Sequence, residues 1–506
     1  MSRIIKKIDH AVVKKTAARC KARGITIPTF AQMCDPEKVP QSIKSKLPEA
    51  GLWDLNPLNL YRISWRNDIK TGLYGGVNYI EIPRRITGVK ARIIGMIGKY
   101  FPTGAHKVGA AFGCLVPRLV SGEFDPEVHK AVWPSTGNFC RGGAFDCRLL
   151  DCTPIAILPE GMSKERFTWL KEIGSEVIAT PGTESNVKEI YDKCWELKQN
   201  PLNIIFNQFE EFGNPIWHYH VTGPALDDAF KALAVKDGNA AAYVSATGSA
   251  GTIAAGDYLK SLYPSLKIVA SEALQCPTLY MNGFGEHRIE GIGDKHVPWV
   301  HNVRNTDAVA AIDDEDCMRV LRLFNEDHGK EFLKTLGIDE SRIDQLNLLG
   351  ISSIGNLLAA IKTAKYYEMG EADVVMTVFT DSVEMYRSRL DELSHSSREI
   401  SDISGDKRGE ITHISRDERG AYSDLQAAMD FSGPIAHQGI DFYKELSYYD
   451  KKTIHNLKYF TWVEQQGRSS EELKEQWDPA YWQTIFEEEV VLFDKLIEEF
   501  NQQVAS

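Results

Sequence analysis

The sequence predicts an α/β protein in which mostly parallel sheets are covered by helices. Between about residues 78 and 390, short apolar runs alternate with segments of helical periodicity. This alternation is typical of βαβ units, which build a parallel sheet flanked by its crossover helices. The composition agrees with a globular chain, because 43% of the 506 residues are hydrophobic and 25% are charged. No repeat of roughly 20–50 residues is present, so a solenoid is not predicted.

The strands and helices of this region follow one another in order. Apolar runs predict strands at residues 131–134, 154–158, 176–179, 204–207, 241–245, 267–271 and 373–379. Helical spacing predicts helices at residues 164–173, 186–199, 224–233 and 356–367. A further strand-like run at residues 91–97 leads into a helix that starts near Lys107.

The two ends of the chain lie outside the core region at 78–390. Residues 1–77 predict a helical N-terminal extension, whose basic first segment favours a surface helix over a transit peptide because Asp9 interrupts it. Residues 391–424 are rich in Ser, Asp, Gly, Arg and Glu, which predicts a polar linker or loop. Residues 425–506 predict a C-terminal helical extension that ends in an amphipathic helix at 480–504. We expect this helix to pack on the core, with a dimer contact or a lid as the alternative.

Charge and cysteine content exclude several classes of function. A net charge of −12 argues against binding to nucleic-acid phosphates. No run of about 18 apolar residues is present, so a transmembrane helix is not predicted. The nine cysteines are odd in number and scattered, without a C-x-x-C pair, which disfavours disulfides and a zinc site. We therefore expect a cytoplasmic protein with no metal and no nucleic-acid or membrane partner.

Four segments at the starts of predicted helices carry polar groups suited to chemistry. They are FPTGAHKVGAAFG at 101–113, PSTGNFCRGGA at 134–144, VSATGSAGTIAAG at 244–256 and GISSIGN at 350–356. A lysine desolvated at a helix start can form a Schiff base with a carbonyl cofactor. Hydroxyl and amide groups beside backbone N–H groups suit a carboxylate, and a glycine-rich turn suits a phosphate. A serine can hydrogen-bond a heterocyclic nitrogen. Each segment alone is more simply a surface lysine or a capped helix, but together they supply what pyridoxal 5′-phosphate needs.

In this order, the segments resemble those of the fold type II pyridoxal-phosphate enzymes, most closely cysteine synthase and cystathionine β-synthase. Three further segments share the resemblance: NQFEEFGNPIWHYHVTGPAL, HRIEGIGDKHVP and TVFTDSVEMYRSRL. It covers about residues 78–390 and implies a two-lobed α/β fold like that of the tryptophan synthase β chain. The smaller lobe, at about residues 115–225, would be inserted in the larger one, with helical extensions at both ends.

The resemblance also implies roles for individual residues. Lys107 of PTGAHK is implied as the catalytic lysine that binds the cofactor, and Asn138 as the contact of the pyridoxal 3′-oxygen. Ser352 is implied at the ring nitrogen, with Ser353 as the alternative. The remaining contacts fall into two sets, the phosphate loop (Gly248, Ser249, Ala250, Gly251 and Thr252) and the substrate-carboxylate residues (Ser135, Thr136, Gly137 and Gln208).

The sequence departs from the cysteine synthases at several positions. His106 precedes the lysine, as in the tryptophan synthase β chain, and is either a contact of the cofactor phosphate or a packed core residue. Phe139 stands where cysteine synthases usually have threonine, which removes a polar contact. Asp294, Lys295 and His296 follow the glycine segment and either line the entrance or lie on the surface. These departures leave the identity of the substrate open.

The implied function is β-elimination or β-replacement on a serine- or cysteine-like amino acid, in the manner of a cysteine synthase. Lys107 would remove the α-proton as general base, and a serine at the ring nitrogen favours chemistry at the β-carbon over transamination. An elimination-only ammonia-lyase, dehydratase or desulfhydrase is the alternative, and a catalytically silent binding subunit is a third hypothesis. The implied partners are a small amino-acid substrate and a second copy of the chain in a homodimer.

Overall fold

A computed structural model describes residues 2–135, 137–183, 187–293, 295–394, 430 and 432–506. The described residues form two β-sheets flanked by helices, which confirms the predicted α/β class. The predicted linker at 391–424 lies outside the described residues from position 395 onward.

The larger sheet has seven strands in the order β1-β2-β10-β7-β8-β9-β11. Its five central strands are parallel, and the two edge strands, β1 and β11, are antiparallel to their neighbours. The central strands are buried almost throughout, as expected where helices cover both faces of a parallel sheet. The strands are β1 (Tyr79–Ile82), β2 (Arg92–Ile97), β7 (Asn239–Ala246), β8 (Lys267–Ala273), β9 (Ala308–Ile312), β10 (Asp373–Phe379) and β11 (Tyr443–Glu445).

The smaller sheet has four parallel strands in the order β5-β4-β3-β6. Its strands fall in the chain between β2 and β7 of the larger sheet, so it is built from an insertion. The boundaries of 115–225 for a smaller lobe stay a prediction. The strands are β3 (Lys130–Pro134), β4 (Thr153–Pro159), β5 (Glu176–Thr180) and β6 (Asn203–Ile205).

Helices connect and cover these strands. Two of them, α9 and α10, are joined by a π-helical turn at His218–Thr222. In chain order the helices are α1 (His10–Ala22), α2 (Phe30–Cys34), α3 (Gln41–Lys44), α4 (Arg84–Thr87), α5 (Lys107–Ser121), α6 (Asn138–Leu149), α7 (Lys164–Glu172), α8 (Val187–Lys198), α9 (Gly213–Trp217), α10 (Gly223–Ala232), α11 (Ala254–Leu262), α12 (Thr278–Met281), α13 (Asp314–Asn325), α14 (Asp327–Thr335), α15 (Glu340–Gln345), α16 (Ile351–Tyr366), α17 (Tyr448–Lys458), α18 (Ser470–Glu475), α19 (Pro479–Gln483) and α20 (Glu489–Ala505).

Every strand predicted from an apolar run overlaps an observed strand, whereas β1, β9 and β11 were not predicted. The run AVAAI of β9 is alanine-rich, and alanine has a weak strand preference. This run is a strand because it pairs with β8 on one side and with β11 on the other. These partners are distant in sequence, so a local pattern does not reveal them.

The two extensions pack on each other and on the core. The predicted surface helix is α1, but one of its faces is buried and packs against α20. The predicted amphipathic helix runs through α19, a π-helical turn and α20, with Phe493, Ile497 and Phe500 buried. Asp494 of α20 accepts hydrogen bonds from the backbone at the start of α2. The C-terminal helix α20 also packs against α5, which belongs to the core region at 78–390.

Within the described ranges, no single helix has the length and apolar character needed to span a membrane. One pair, Glu340–Leu348 and Ile351–Tyr366, meets the criterion jointly but is bent by 114°.

Candidate active site

The predicted site segments meet at one edge of the sheets. Three of the four site segments, those at 101–113, 134–144 and 244–256, follow the carboxyl ends of the parallel strands β2, β3 and β7. Thr380 and Asp381 follow the parallel strand β10, and the segment at 350–356 begins α16. Loops at the carboxyl ends of parallel strands form the usual ligand crevice of open α/β sheets. Here such loops line a cleft.

Lys107 is the first residue of α5 and reaches into this cleft. Its Nζ lies 2.8 Å from Ser249 Oγ and 3.4 Å from Gln208 Oε1. Removal of the ammonium group from water lowers the pKa of Lys107 to about 8. No carboxylate among the described residues pairs with this amine in an ion pair. A substantial fraction of Lys107 is therefore neutral near physiological pH, which a nucleophile or a general base requires.

The segment after β3 brings Ser135 and Asn138 to the cleft wall. Ser135 Oγ accepts hydrogen bonds from the backbone N–H of Gly137 and from Gln208 Nε2, at 3.2 and 3.3 Å. Gly137 is required here, because a Cβ would lie 2.3 Å from the guanidinium of the buried Arg166. Thr136 lies outside the described residues.

The glycine-rich segment between β7 and α11 presents a row of backbone amides. None of the N–H groups from Gly248 to Thr252 donates to an acceptor in the described part of the chain. Ala250 has a φ of 56°, in the left-handed region that curves such a loop. Successive free amides before a helix make an anion-binding concavity. The loop therefore suits a phosphate group.

Asn214 fixes this loop, although the sequence patterns did not single it out. Its Nδ2 donates to the carbonyl of Gln208 at 2.9 Å and to Ser249 Oγ at 3.1 Å. A Cβ at Gly251 would lie 1.9 Å from Asn214 Oδ1, so only glycine permits this approach. Asn214 lies in the NQFEEFGNPIWHYHVTGPAL segment, but no rule of residue spacing marks this asparagine as functional.

A buried polar network lies behind Asn138. Asn138 Nδ2 donates to Asp381 Oδ2 at 2.6 Å, and the Tyr386 hydroxyl donates to the same oxygen at 2.7 Å. Arg166 donates to the Tyr386 hydroxyl and forms an ion pair with Glu290 at 3.0 Å. Burial raises the pKa of Asp381, and Arg166 opposes this shift. This network was not predicted, because all its contacts except that of Tyr386 with Asp381 join positions more than a hundred residues apart.

His106 lies beneath the phosphate loop. It does not line the cleft; its Nε2 lies 3.2 Å from Thr252 Oγ1. Burial, with Lys107 nearby, lowers the pKa of His106 to about 3, so the ring is neutral.

Ser352 is buried in the first turn of α16 and does not line the cleft. Its Oγ lies 3.8 Å from where a Cβ on the cleft residue Gly291 would be. Ser353 Oγ donates instead to the carbonyl of Asp381 at 3.4 Å.

The structure thus brings most of the predicted residues together and adds an apolar wall. Of the entrance residues, Asp294 lies outside the described residues, and neither Lys295 nor His296 lines the cleft. The predicted residues that line it are Lys107, Ser135, Asn138, Gln208, Gly248, Ser249, Ala250 and Thr252. The lining residues without a predicted role include Phe139, Ile190, Tyr191, Asn207, Phe209 and Thr380.

These residues fit pyridoxal 5′-phosphate. The cofactor needs a lysine that can lose its proton, an anion cradle and polar contacts around its ring. The cleft supplies Lys107 and the free amides of the loop at 248–252. In addition, the buried Asn138 Oδ1 has no hydrogen-bond partner in the described ranges, although a buried polar atom is normally paired.

Comparisons with known proteins agree with this fit. Residues 79–331 match the family model described as "Pyridoxal-phosphate dependent enzyme". The chain is 28% identical over 319 residues to a cysteine synthase of Staphylococcus aureus, covering 63% of this chain and 94% of that protein. It is 30% identical over 289 residues to a probable cysteine synthase of Bacillus subtilis, covering 57% of this chain and 85% of that protein.

A solved structure shares the fold. The structure of a hydrogen sulfide-producing enzyme from Fusobacterium nucleatum matches with a TM-score of 0.52 and 24% identity, covering 61% of this chain and 95% of that chain. The family model spans half of the chain and includes Lys107, the substrate segment and the glycine-rich loop. The chain therefore belongs to the pyridoxal-phosphate dependent enzymes, and pyridoxal 5′-phosphate is its cofactor.

Proposed function

We propose that this enzyme catalyses β-elimination or β-replacement on a serine- or cysteine-like amino acid, with Lys107 as the catalytic lysine that binds the cofactor. The placement of Lys107 Nζ carries the proposal. This amine has a pKa lowered to about 8 and lies 3.4 Å from Gln208 Oε1 and 2.8 Å from Oγ of Ser249, a residue of the loop at 248–252. The similarity to cysteine synthases supports the same class of reaction.

The other residues of the cleft take the following proposed roles. The amides of the loop from Gly248 to Thr252 hold the cofactor phosphate, Asn138 contacts the 3′-oxygen, and Ser352 hydrogen-bonds the ring nitrogen. The free amides support the first assignment. The second is supported by Asn138 Nδ2, which gives one N–H to Asp381 and has a second N–H to donate. The substrate carboxylate is held by Ser135, Thr136, Gly137 and Gln208.

The bound cofactor withdraws electrons from the α-carbon of the amino acid. Lys107, once its amine is neutral, accepts the α-proton, and burial keeps this amine from being permanently protonated. Ser249 accepts a hydrogen bond from Lys107 Nζ and so directs the amine. The apolar side chains of Phe139, Ile190 and Phe209 line the cleft and limit the access of water.

Product analysis tests this proposal. The purified holoenzyme is incubated with O-acetylserine, serine or cysteine, each with and without sulfide. We expect cysteine from O-acetylserine and sulfide, and loss of this activity by at least a thousandfold in Lys107→Ala. Lys14→Ala is the matched control, because Lys14 is exposed on α1.

Pyruvate formation that does not depend on sulfide would favour the elimination-only alternative. Full activity of Lys107→Ala, or no turnover of any of the three amino acids, would contradict the proposal.

We also propose that the enzyme is a cytoplasmic homodimer. All nine cysteines lie within the described residues and none forms a disulfide, which agrees with a reducing compartment. Exposed aromatic side chains of the C-terminal extension, such as Tyr449 and Phe460, offer surface for a second copy. Light scattering of the protein as it elutes from a size-exclusion column should give twice the mass of one chain.

A further inference from the structure

A line of hydrogen bonds runs from the N-terminal extension to the glycine-rich loop. The indole Nε1 of Trp65 donates to Thr222 Oγ1 at 3.0 Å. This hydroxyl lies 2.9 Å from His218 Nδ1, and His218 Nε2 lies 3.4 Å from Thr252 Oγ1. All four side chains are buried, and Thr252 also lines the cleft.

The donors and acceptors fix the direction of this line. An indole N–H is only a donor, so Thr222 Oγ1 accepts from Trp65. Burial, with His106 and Lys107 nearby, holds the pKa of His218 well below its ordinary value, so its ring carries one proton. The Thr222 hydroxyl has no other acceptor in the described part of the chain, so it donates a hydrogen bond to the unprotonated Nδ1 of His218. The single ring proton is then on Nε2, which donates a hydrogen bond to Thr252 Oγ1.

His106 reaches the same hydroxyl. Its Nε2 lies 3.2 Å from Thr252 Oγ1, whereas its buried Nδ1 has no hydrogen-bond partner in the described part of the chain. The Thr380 carbonyl lies near enough to raise the pKa of His106 slightly, but it accepts no hydrogen bond of ordinary geometry from Nδ1. We therefore place the proton of this neutral ring on Nε2, where Thr252 Oγ1 accepts it. Thr252 Oγ1 then accepts from both histidines and has used both lone pairs. Its own proton remains to be donated.

We infer that Trp65, Thr222, His218 and His106 are positioning residues that make the Thr252 hydroxyl a dedicated donor to the cofactor phosphate. Phosphate oxygens accept hydrogen bonds, so a hydroxyl held in the donor orientation needs no reorganisation when the cofactor binds. The inference rests on the proposed placement of the phosphate at residues 248–252. Through Trp65, it gives the N-terminal extension a part in binding the cofactor.

The histidine tautomers test the direction of the line. Nitrogen-15 NMR of the holoenzyme with labelled histidine distinguishes a proton on Nε2 from one on Nδ1, and the signals are assigned by their loss in His218→Gln and His106→Gln. We expect the Nε2–H tautomer for both rings. A proton on Nδ1 of either ring would overturn the inference, because Thr252 would then have to donate to that ring.

A matched pair of variants tests the effect on the cofactor. Thr222→Val removes the hydroxyl with little change in shape, and Thr222→Ser keeps it. We expect the dissociation constant for pyridoxal 5′-phosphate to rise about fivefold in Thr222→Val and to stay near the wild-type value in Thr222→Ser. The phosphorus-31 signal of the bound cofactor should also shift in Thr222→Val alone. Wild-type affinity in Thr222→Val would overturn the inference.

Should Thr222→Val not fold, Trp65→Phe makes the same comparison, because phenylalanine keeps an aromatic ring against His106 and lacks the N–H.

Two loop variants separate the inference from the proposed placement of the phosphate. If neither Ser249→Ala nor Thr252→Val moves the phosphorus signal, the phosphate is not at this loop. If Ser249→Ala moves it but Thr252→Val and Thr222→Val do not, the placement stands and the positioning role is wrong.

Discussion

The side chain of Asn138 is held by a single carboxylate oxygen of Asp381, which also accepts from Tyr386. An amide next to such an oxygen turns its nitrogen toward the carboxylate, because a carboxylate only accepts. Asp381 therefore determines which end of the Asn138 amide faces the cleft. The sequence could identify Asn138 through the STGN segment, but it could not identify Asp381, which lies 243 positions further along the chain.

Replacement of Asp381 tests this orienting role. In Asp381→Ala the Asn138 amide loses its acceptor and can rotate. We expect kcat to fall about tenfold or more, which corresponds to the free energy of one hydrogen bond to a charged group. Tyr386→Phe is the comparison, because it removes a donor to Asp381 and leaves the contact with Asn138. Its loss in kcat should be smaller. Equal activity of Asp381→Ala and the wild type would show that Asn138 needs no such partner.

At the scale of elements, the C-terminal extension braces the segment at residues 297–301. The buried Lys458 of α17 donates to the carbonyls of Trp299 and His301 at 2.9 and 2.7 Å. The indole of Trp462 donates to the carbonyl of Val297 at 2.8 Å. The braced segment touches the cleft wall, because the N–H of Val300 donates to the carbonyl of Phe209. The aromatic-rich composition predicted a helical extension here, but not the surface on which it packs.

Lys458→Met measures the strength of this brace. The variant leaves three buried oxygens without their donor, the carbonyls of Trp299 and His301 and Oε1 of Gln476, so we expect the free energy of unfolding to fall by about 2–5 kcal/mol. We also expect KM to rise by a larger factor than kcat falls, because the segment at 297–301 is hydrogen-bonded to Phe209, which lines the cleft. Lys474→Met on α18 is the control, because Lys474 is exposed. A Tm for Lys458→Met within error of the control would remove the structural basis of the brace.

At the scale of the whole molecule, the two sheets bring four distant segments of the chain to one cleft. This arrangement follows from βαβ topology, which places the carboxyl ends of parallel strands at one edge. For this reason the strands β3, β7 and β10, and the segments after β3 and β7, were predictable from local patterns. Contacts that depend on three-dimensional neighbours were not, among them Trp65 with Thr222 and Lys458 with Trp299. The same holds for β11, a strand only through its pairing with β9.

Peptide mapping identifies the lysine that binds the cofactor, which we propose to be Lys107. The holoenzyme is reduced with borohydride, which fixes the cofactor to its lysine, and is then digested and analysed by mass spectrometry. We expect a phosphopyridoxyl group on Lys107, within the peptide that contains PTGAHK. A phosphopyridoxyl group on any other lysine, with Lys107 unmodified, would contradict the proposed role of Lys107.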